Sequence, residues 1–191
     1  MEEADRFCPK DQEDWRNWLK ENHEEKDFVW LIINKKGSPN PNLIWSEAVD
    51  QALCFGWIDS TARPIDDHQY RQYFCKRKPK SHWSRVNKEK VKTLIEQGLM
   101  QEAGFKSIEI AKKNGSWTFL DAVEALEVPE DLQKEFAKYE AAREYFDGLS
   151  NSMKKQLLFW VVSGKRKETR QKRVSEIAIN ASQRRTPKQF R

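Results

Sequence analysis

Apolar residues recur at helical spacing in some stretches and as short continuous runs in others, and the alternation sets out the elements. Trp15, Trp18 and Leu19 follow Asp11 and an acidic first turn, Glu13-Asp14, which predicts a capped helix ending near Asn22. Residues 28–33 (Phe-Val-Trp-Leu-Ile-Ile) form an apolar run of strand length, rich in β-branched and aromatic side chains. Turn formers fill residues 35–42. Ser46 and Glu47 open a second helix in this reading. Ala48, Val49, Ala52, Leu53 and Phe55 give it an apolar face, and Gly56 stops it in a left-handed conformation. Residues 57–63 and 70–77 read as two more strands, and the connection 64–69 is short enough for an antiparallel hairpin. Residues 78–83 (Lys-Pro-Lys-Ser-His-Trp) are a basic loop, because Pro79 cannot continue a ladder.

Beyond Ser84 the spacing is helical throughout. Ser84 caps a helix to about Gln97, with Val86, Val91, Leu94 and Ile95 expected inward. Further helices are predicted over 103–113, 121–126, from Pro129, and over 141–149, 150–162 and 167–181. Strands confined to the first 80 residues predict a predominantly helical α+β fold, with a small, mainly antiparallel sheet in the N-terminal half and a helical C-terminal half. The expected division is an α+β core at 1–127, a helical module at 128–183 and a flexible basic tail at 184–191.

Composition changes this picture in one respect. The hydrophobic share is low at 38%, but eight Trp and ten Phe bury enough area each to build a core from fewer positions. Charge is not evenly spread. Residues 1–60 carry a net −6, 61–92 a net +7, 93–153 a net −6 and 154–191 a net +10. Such blocks either neutralise one another internally or offer basic faces to an anionic ligand or an acidic protein surface. The acidic start lacks a basic segment followed by an apolar run, so no secretory signal is expected. No apolar run approaches the roughly 20 residues of a membrane span. Cys8, Cys54 and Cys75 have neither disulfide nor metal spacing. Free thiols suit a reducing cytoplasm, and neither a cofactor nor a metal site is expected.

Several strings carry a family resemblance. Residues 30–37 (Trp-Leu-Ile-Ile-Asn-Lys-Lys-Gly), 47–60 (through Cys-Phe-Gly-Trp-Ile-Asp-Ser) and 74–87 (through Ser-His-Trp-Ser-Arg-Val-Asn) resemble the bacterial YdeI/OmpD-associated proteins. So do residues 94–100 and the stretch from Val128 through Phe146 to residues 167–173, so that the similarity runs over about 28–190. The resemblance implies a small helical C-terminal module, protection against bacteriocins or related antimicrobial peptides, and association with an outer-membrane porin. It implies no catalytic residue.

Three constellations bear on chemistry. In residues 54–61, Gly56 reverses the chain, Trp57 enters a strand, and Asp59 and Ser60 offer a carboxylate and a hydroxyl at a pocket mouth, unless Asp59 serves nearby backbone or Arg63. The basic–aromatic run holds Arg71, Lys76, Arg77, Lys78, Lys80, His82, Trp83, Ser84 and Arg85, with a helix N-terminus directly after the cluster. Trp83 either stacks a ligand ring or staples the helix to the core. Third, Arg166, Arg170 and Arg173 share one face of the last helix, which also offers Val174, Ile177 and Ala178 for docking.

Phosphate-loop, zinc-protease, serine-hydrolase and Cys-x-x-Cys signatures are missing. An acid–base pair from His68 or His82 with Asp59, Asp66 or Asp67 is conceivable only in space. The leading expectation is a non-enzymatic binding or stress-protection protein with an anion-binding basic–aromatic surface; nucleic acid is one such anion, without a motif to support it. The rivals are a small-molecule enzyme or ligand-binding protein whose cleft between sheet and helical half is lined by Trp57, Asp59 and Trp83, and an adaptor using the C-terminal helices.

Overall fold

The computed structural model describes residues 5–191; the acidic start at 1–4 lies outside them. The chain divides into two compact units, the first ending at Thr118 and the second spanning Phe119–Arg191. The boundary falls nine residues before the one read from the sequence.

The first unit is a four-stranded sheet with helices. Its elements in order are β1 (Arg6–Phe7), α1 (Gln12–Asn22), β2 (Phe28–Asn34), α2 (Trp45–Cys54), β3 (Trp57–Pro64), β4 (Gln69–Lys76), α3 (Arg85–Glu96) and α4 (Glu102–Lys113). The spatial order is β1-β2-β4-β3, with β1 parallel to β2 and the other pairs antiparallel. The sheet is therefore mainly antiparallel, as the short 64–69 connection predicted. Asp11 caps α1 by accepting from the Asp14 amide at 2.8 Å, and Ser84 caps α3 by accepting from the Asn87 amide at 3.3 Å.

Alternation along β2 puts Val29, Leu31 and Ile33 on one face, and the register places Phe74 opposite Val29. Trp15 and Leu19 of α1 and Ala48, Val49, Ala52 and Leu53 of α2 complete the same core. Two of its three fully buried indoles enter with their polar ends satisfied, whereas Trp83 Nε1 is buried without a partner. Trp15 Nε1 donates to the Ala48 carbonyl at 3.0 Å and Trp57 Nε1 to the His23 carbonyl at 3.2 Å.

Two expectations about helices are corrected here. Helix α2 begins at Trp45, not Ser46, because Glu47 reaches back to the Ile44 amide at 3.1 Å. The Ser46 hydroxyl is engaged elsewhere, accepting from Lys90 Nζ at 2.7 Å. On α3 only Val91 and Leu94 are buried; Val86 and Ile95 are 56% and 43% exposed. Their arc is wider than the contact α3 makes.

Helix α4 lies unusually close to the corner between α2 and β3. The Gln101 amide donates to the Cys54 carbonyl at 3.1 Å. A Cβ on Gly104 would stand 2.4 Å from that same carbonyl oxygen, and one on Gly56 would stand 2.8 Å from the Ala103 carbonyl oxygen. Gly56 also has φ +71°, as a left-handed stop requires.

The second unit is helical: α5 (Asp121–Glu124), α6 (Glu130–Phe136), α7 (Ala142–Asp147), α8 (Asn151–Val162) and α9 (Lys167–Ser182). Leu132, Phe136, Phe146, Leu158, Val161, Val174 and Ile177 form its core. Two of the three arginines expected on an outer face of α9 are tied inside the unit. Arg170 meets Asp131 of α6 through two bonds of 2.6 and 3.0 Å, and Arg173 donates to the Trp160 carbonyl at 2.6 Å. Residues 184–191, expected to be a flexible tail, lie against α8 and α9. Lys188–Phe190 forms a 3-10 turn, the Phe190 ring meets Trp160 edge-on at 5.5 Å, and Arg191 donates to Asn180 at 3.0 Å. One aromatic residue anchors a segment whose composition is otherwise polar. Among the described residues no helix is long and apolar enough to cross a membrane.

Two predictions follow from this packing. Alanine normally stabilises a helix interior relative to glycine by roughly 0.5–1 kcal/mol. At Gly104 the sign reverses, and Gly104→Ala costs about 1–3 kcal/mol in urea denaturation because backbone blocks the new methyl. In the second unit, the Arg170 bonds hold the Asp131 carboxyl below its ordinary value of 3.8. The native carboxylate therefore releases its proton more readily than the unfolded one. Its stabilising effect is complete above the unfolded value and is lost as pH falls through the lower folded one. The acid limb of thermal unfolding is expected to flatten in Arg170→Met; an unchanged limb contradicts this.

Candidate functional site

Strand β4 ends at Lys76 and delivers it and the next residue, Arg77, to the edge where α4 crosses the α2–β3 corner. A cleft of about 300 Å³ lies there. Its walls are Phe55, Gly56 and Trp57 from the corner, Lys76, Arg77 and Pro79 from the end of β4, and His23 and Glu24 from the end of α1. Helix α4 supplies Ala103, Lys106, Ser107 and Ile110. Gly56, where α4 approaches the corner, lies in the wall of the cleft. A second hollow of about 360 Å³ shares His23, Glu24, Phe55, Ala103 and Lys106 with the first and adds Lys20, Gln101 and Glu102.

Arg77 dominates the electrostatics. Its guanidinium lies 3.8 Å from the centre of the Trp83 ring, and Nη1 donates to the His82 carbonyl at 3.1 Å. Nε is buried without a hydrogen-bond partner, and among the described residues no carboxylate pairs with the group. Burial pushes its pKa down to about 10, against the weaker pull of Asp59. Lys76, in contrast, is occupied. Its Nζ donates to the Glu24 carbonyl at 2.8 Å and meets Asp27 at 3.1 Å. His23 Nδ1 lies 2.9 Å from the Leu19 carbonyl, an oxygen that can only accept, so this nitrogen carries the hydrogen. The ring packs on Phe55 with 5.1 Å between centroids.

The residues singled out in the sequence scatter among four environments. Trp57, Lys76 and Arg77 line the cleft. Trp83 is 1% exposed and sits in the first core, where it meets Trp117 at 5.0 Å; it staples the chain beneath Arg77 and offers no face to a ligand. Ser84 spends its hydroxyl on the helix cap, and exposed Arg85 stands 3.6 Å from Glu89 one turn on. Lys78, Lys80 and His82 are exposed on the loop. That loop is held, because the Pro79 carbonyl accepts from Asn114 Nδ2 at 2.7 Å and Ser116 Oγ at 3.2 Å. Arg71 lies on β4 with its guanidinium 4.7 Å from the Trp30 ring.

Asp59 does not reach the cleft. Its carboxylate accepts from Trp45 Nε1 at 2.9 Å and Gln72 Nε2 at 3.2 Å, and the exposed Ser60 gives its carbonyl to Gln72. Trp57, Asp59 and Trp83 therefore do not share one wall, and the cleft that exists is lined by first-unit residues alone. His68 and Asp66 meet through a turn: the His68 amide donates to Asp66 Oδ1 at 2.7 Å. Among the described residues no group of three or more His, Cys, Asp or Glu is placed to hold a metal.

Sequence reasoning did not single out His23, Phe55, Ala103, Lys106 or Ile110 as site residues. One signal was available. Ala103, Lys106 and Ile110 recur at i, i+3 and i+7 on one helix face, beside a glycine in the helix interior that marks close backbone approach.

A family model described as a domain of unknown function, DUF8412, matches residues 7–107, and a second, described as bacteriocin-protection, YdeI or OmpD-associated, matches residues 125–184. The second match suggests a bacteriocin-protection-like role at the level of the family. No curated protein and no solved structure matches the chain. The cleft lies within the span of the first model apart from its Ile110 wall, and the helices α6 to α9 make up most of the second. With more than half of its residues in the first match, the chain belongs to the family of the DUF8412 domain of unknown function, and its residues 125–184 are similar to the YdeI/OmpD-associated, bacteriocin-protection model.

Proposed function

We propose that this protein is a non-enzymatic binding protein of the protective kind, whose first unit holds an amphipathic anion in the cleft beside α4. The observation that carries the reading is Arg77, a largely buried guanidinium in a cavity wall with no carboxylate partner among the described residues. Burying an uncompensated charge costs on the order of several kcal/mol, which one cation–π contact and one carbonyl bond only partly offset. A bound anion supplies the missing charge. Phe55, Pro79 and Ile110 in the same walls favour a ligand with an apolar body, and Lys106 adds a second cation.

Asp59 is unsuited to acid–base work in this reading, because both of its donors hold it as a structural carboxylate away from the cleft. The exposed loop lysines 78 and 80 favour a second reading, a polyanion bound on the loop itself.

One titration separates the two. Hexanoate and phenylphosphate are expected to bind the wild type at low salt, and Arg77→Met is expected to weaken both about tenfold or more. Met keeps much of the stem that packs on Trp83 and removes a buried charge, so unfolding stability should stay within about 1 kcal/mol of wild type. Charge reversal at Lys78 and Lys80 should leave this binding unchanged. If loop reversal abolishes binding while Arg77→Met preserves it, the cleft reading is wrong and the loop reading takes its place. No binding of either anion to wild type contradicts the cleft outright.

A further inference from the structure

The two hollows that share His23, Phe55 and Lys106 differ in chemistry along their length. At one end stand Arg77, Pro79 and Ile110; at the other stand Lys20, Gln101 and Glu102. The ends are fixed by backbone bonds. Pro79 is tied to Asn114 and Ser116, just past the C-terminus of α4, and the Gln101 amide is tied to Cys54 at its N-terminus. The groove thus follows α4 from Glu102 to Ile110. Eight steps of helix at 1.5 Å each give a wall of about 12 Å, the length of roughly three to four extended peptide residues.

Positive charge thins along this groove. The Arg77 end is cationic and apolar, whereas at the far end Lys20 stands with the exposed carboxylate of Glu102, and exposed Glu24 and Lys106 line both hollows. A small amphipathic anion would use only the first end. A ligand that complements the whole groove has a carboxylate next to an apolar group and a positive charge about three residues away. A peptide C-terminus with an apolar last residue and an upstream basic residue has that layout.

Building on the anion-binding reading of the cleft, we propose that the groove along α4 receives the free C-terminus of a peptide. The terminal carboxylate lies at Arg77, with the last side chain apolar against Phe55 and Ile110, and a basic residue about three positions upstream faces Glu102. Specificity comes from both ends. An amidated C-terminus leaves Arg77 uncompensated, and an acidic upstream residue meets Glu102 with like charge.

The test compares three probes by titration calorimetry at low salt: acetyl-Lys-Ala-Ala-Leu with a free C-terminus, the same peptide amidated, and N-acetyl-leucine. The free-acid peptide is expected to bind at least about tenfold more tightly than either of the others. Glu102→Lys should reduce that advantage about threefold or more while leaving N-acetyl-leucine unaffected, with far-UV circular dichroism reporting an intact fold. If N-acetyl-leucine binds and the peptide binds no more tightly, the peptide assignment is overturned and the small-anion cleft stands. Equal binding of acid and amide peptides also overturns it. If none of the three binds, the cleft reading falls and the peptide assignment falls with it.

Discussion

Backbone contact between α4 and the α2–β3 corner is the constraint on which the cleft holding Arg77 depends. Two glycines permit it: Gly104 inside α4 and Gly56 at the corner, each with a carbonyl oxygen where a methyl would otherwise stand. A side chain at either position would push α4 outward and open the cleft to a shallow surface. Interiors pack too densely to absorb such a change locally. The same approach brings Ala103, Lys106 and Ile110 opposite the end of β4, so a packing device and the wall of the proposed site share one helix.

Against that wall the chain holds a charge that the fold does not neutralise. Elsewhere the alternating blocks of charge pair with one another: Asp27 with Lys76 and Asp50 with Lys90 join the first acidic block to the first basic one, and Glu124 with Lys155, Asp131 with Arg170 and Glu144 with Arg184 join the second pair. Part of the basic character that suggested an anionic partner is therefore spent inside each unit. Arg77 differs because it is buried, stacked on Trp83 and bonded to one carbonyl, yet meets no carboxylate among the described residues. A site that trades stability for recognition has this signature.

The fold was largely legible because its signals are local. Asp11, Ser84 and Ser150 cap helices through their own side chains, and each bond lies within three residues. The continuous apolar run at residues 28–33 became the central strand β2. What failed was non-local. Ser46 read as the start of α2, but the helix begins at Trp45 and the Ser46 hydroxyl is claimed by Lys90, 44 residues away. Phe190 meets Trp160 and Arg191 meets Asn180 in a segment that composition alone reads as free. The candidate site was half legible for the same reason. Strand β4 and its basic end were visible as Lys76 and Arg77, whereas the opposite wall comes from α1 and α4 and exists only in three dimensions. Trp83, which read as the aromatic platform, lies under Arg77 in the core because burying an indole outweighs leaving it on a surface.

The most direct measurement is the nitrogen NMR signal of the Arg77 side-chain Nε–H, assigned by its loss in Arg77→Met and followed while hexanoate is added. A buried, uncompensated guanidinium should give a slowly exchanging resonance that shifts downfield and saturates as the carboxylate binds. A resonance that exchanges rapidly with water and does not respond to the carboxylate would contradict the account, because Arg77 would then be an ordinary solvated arginine.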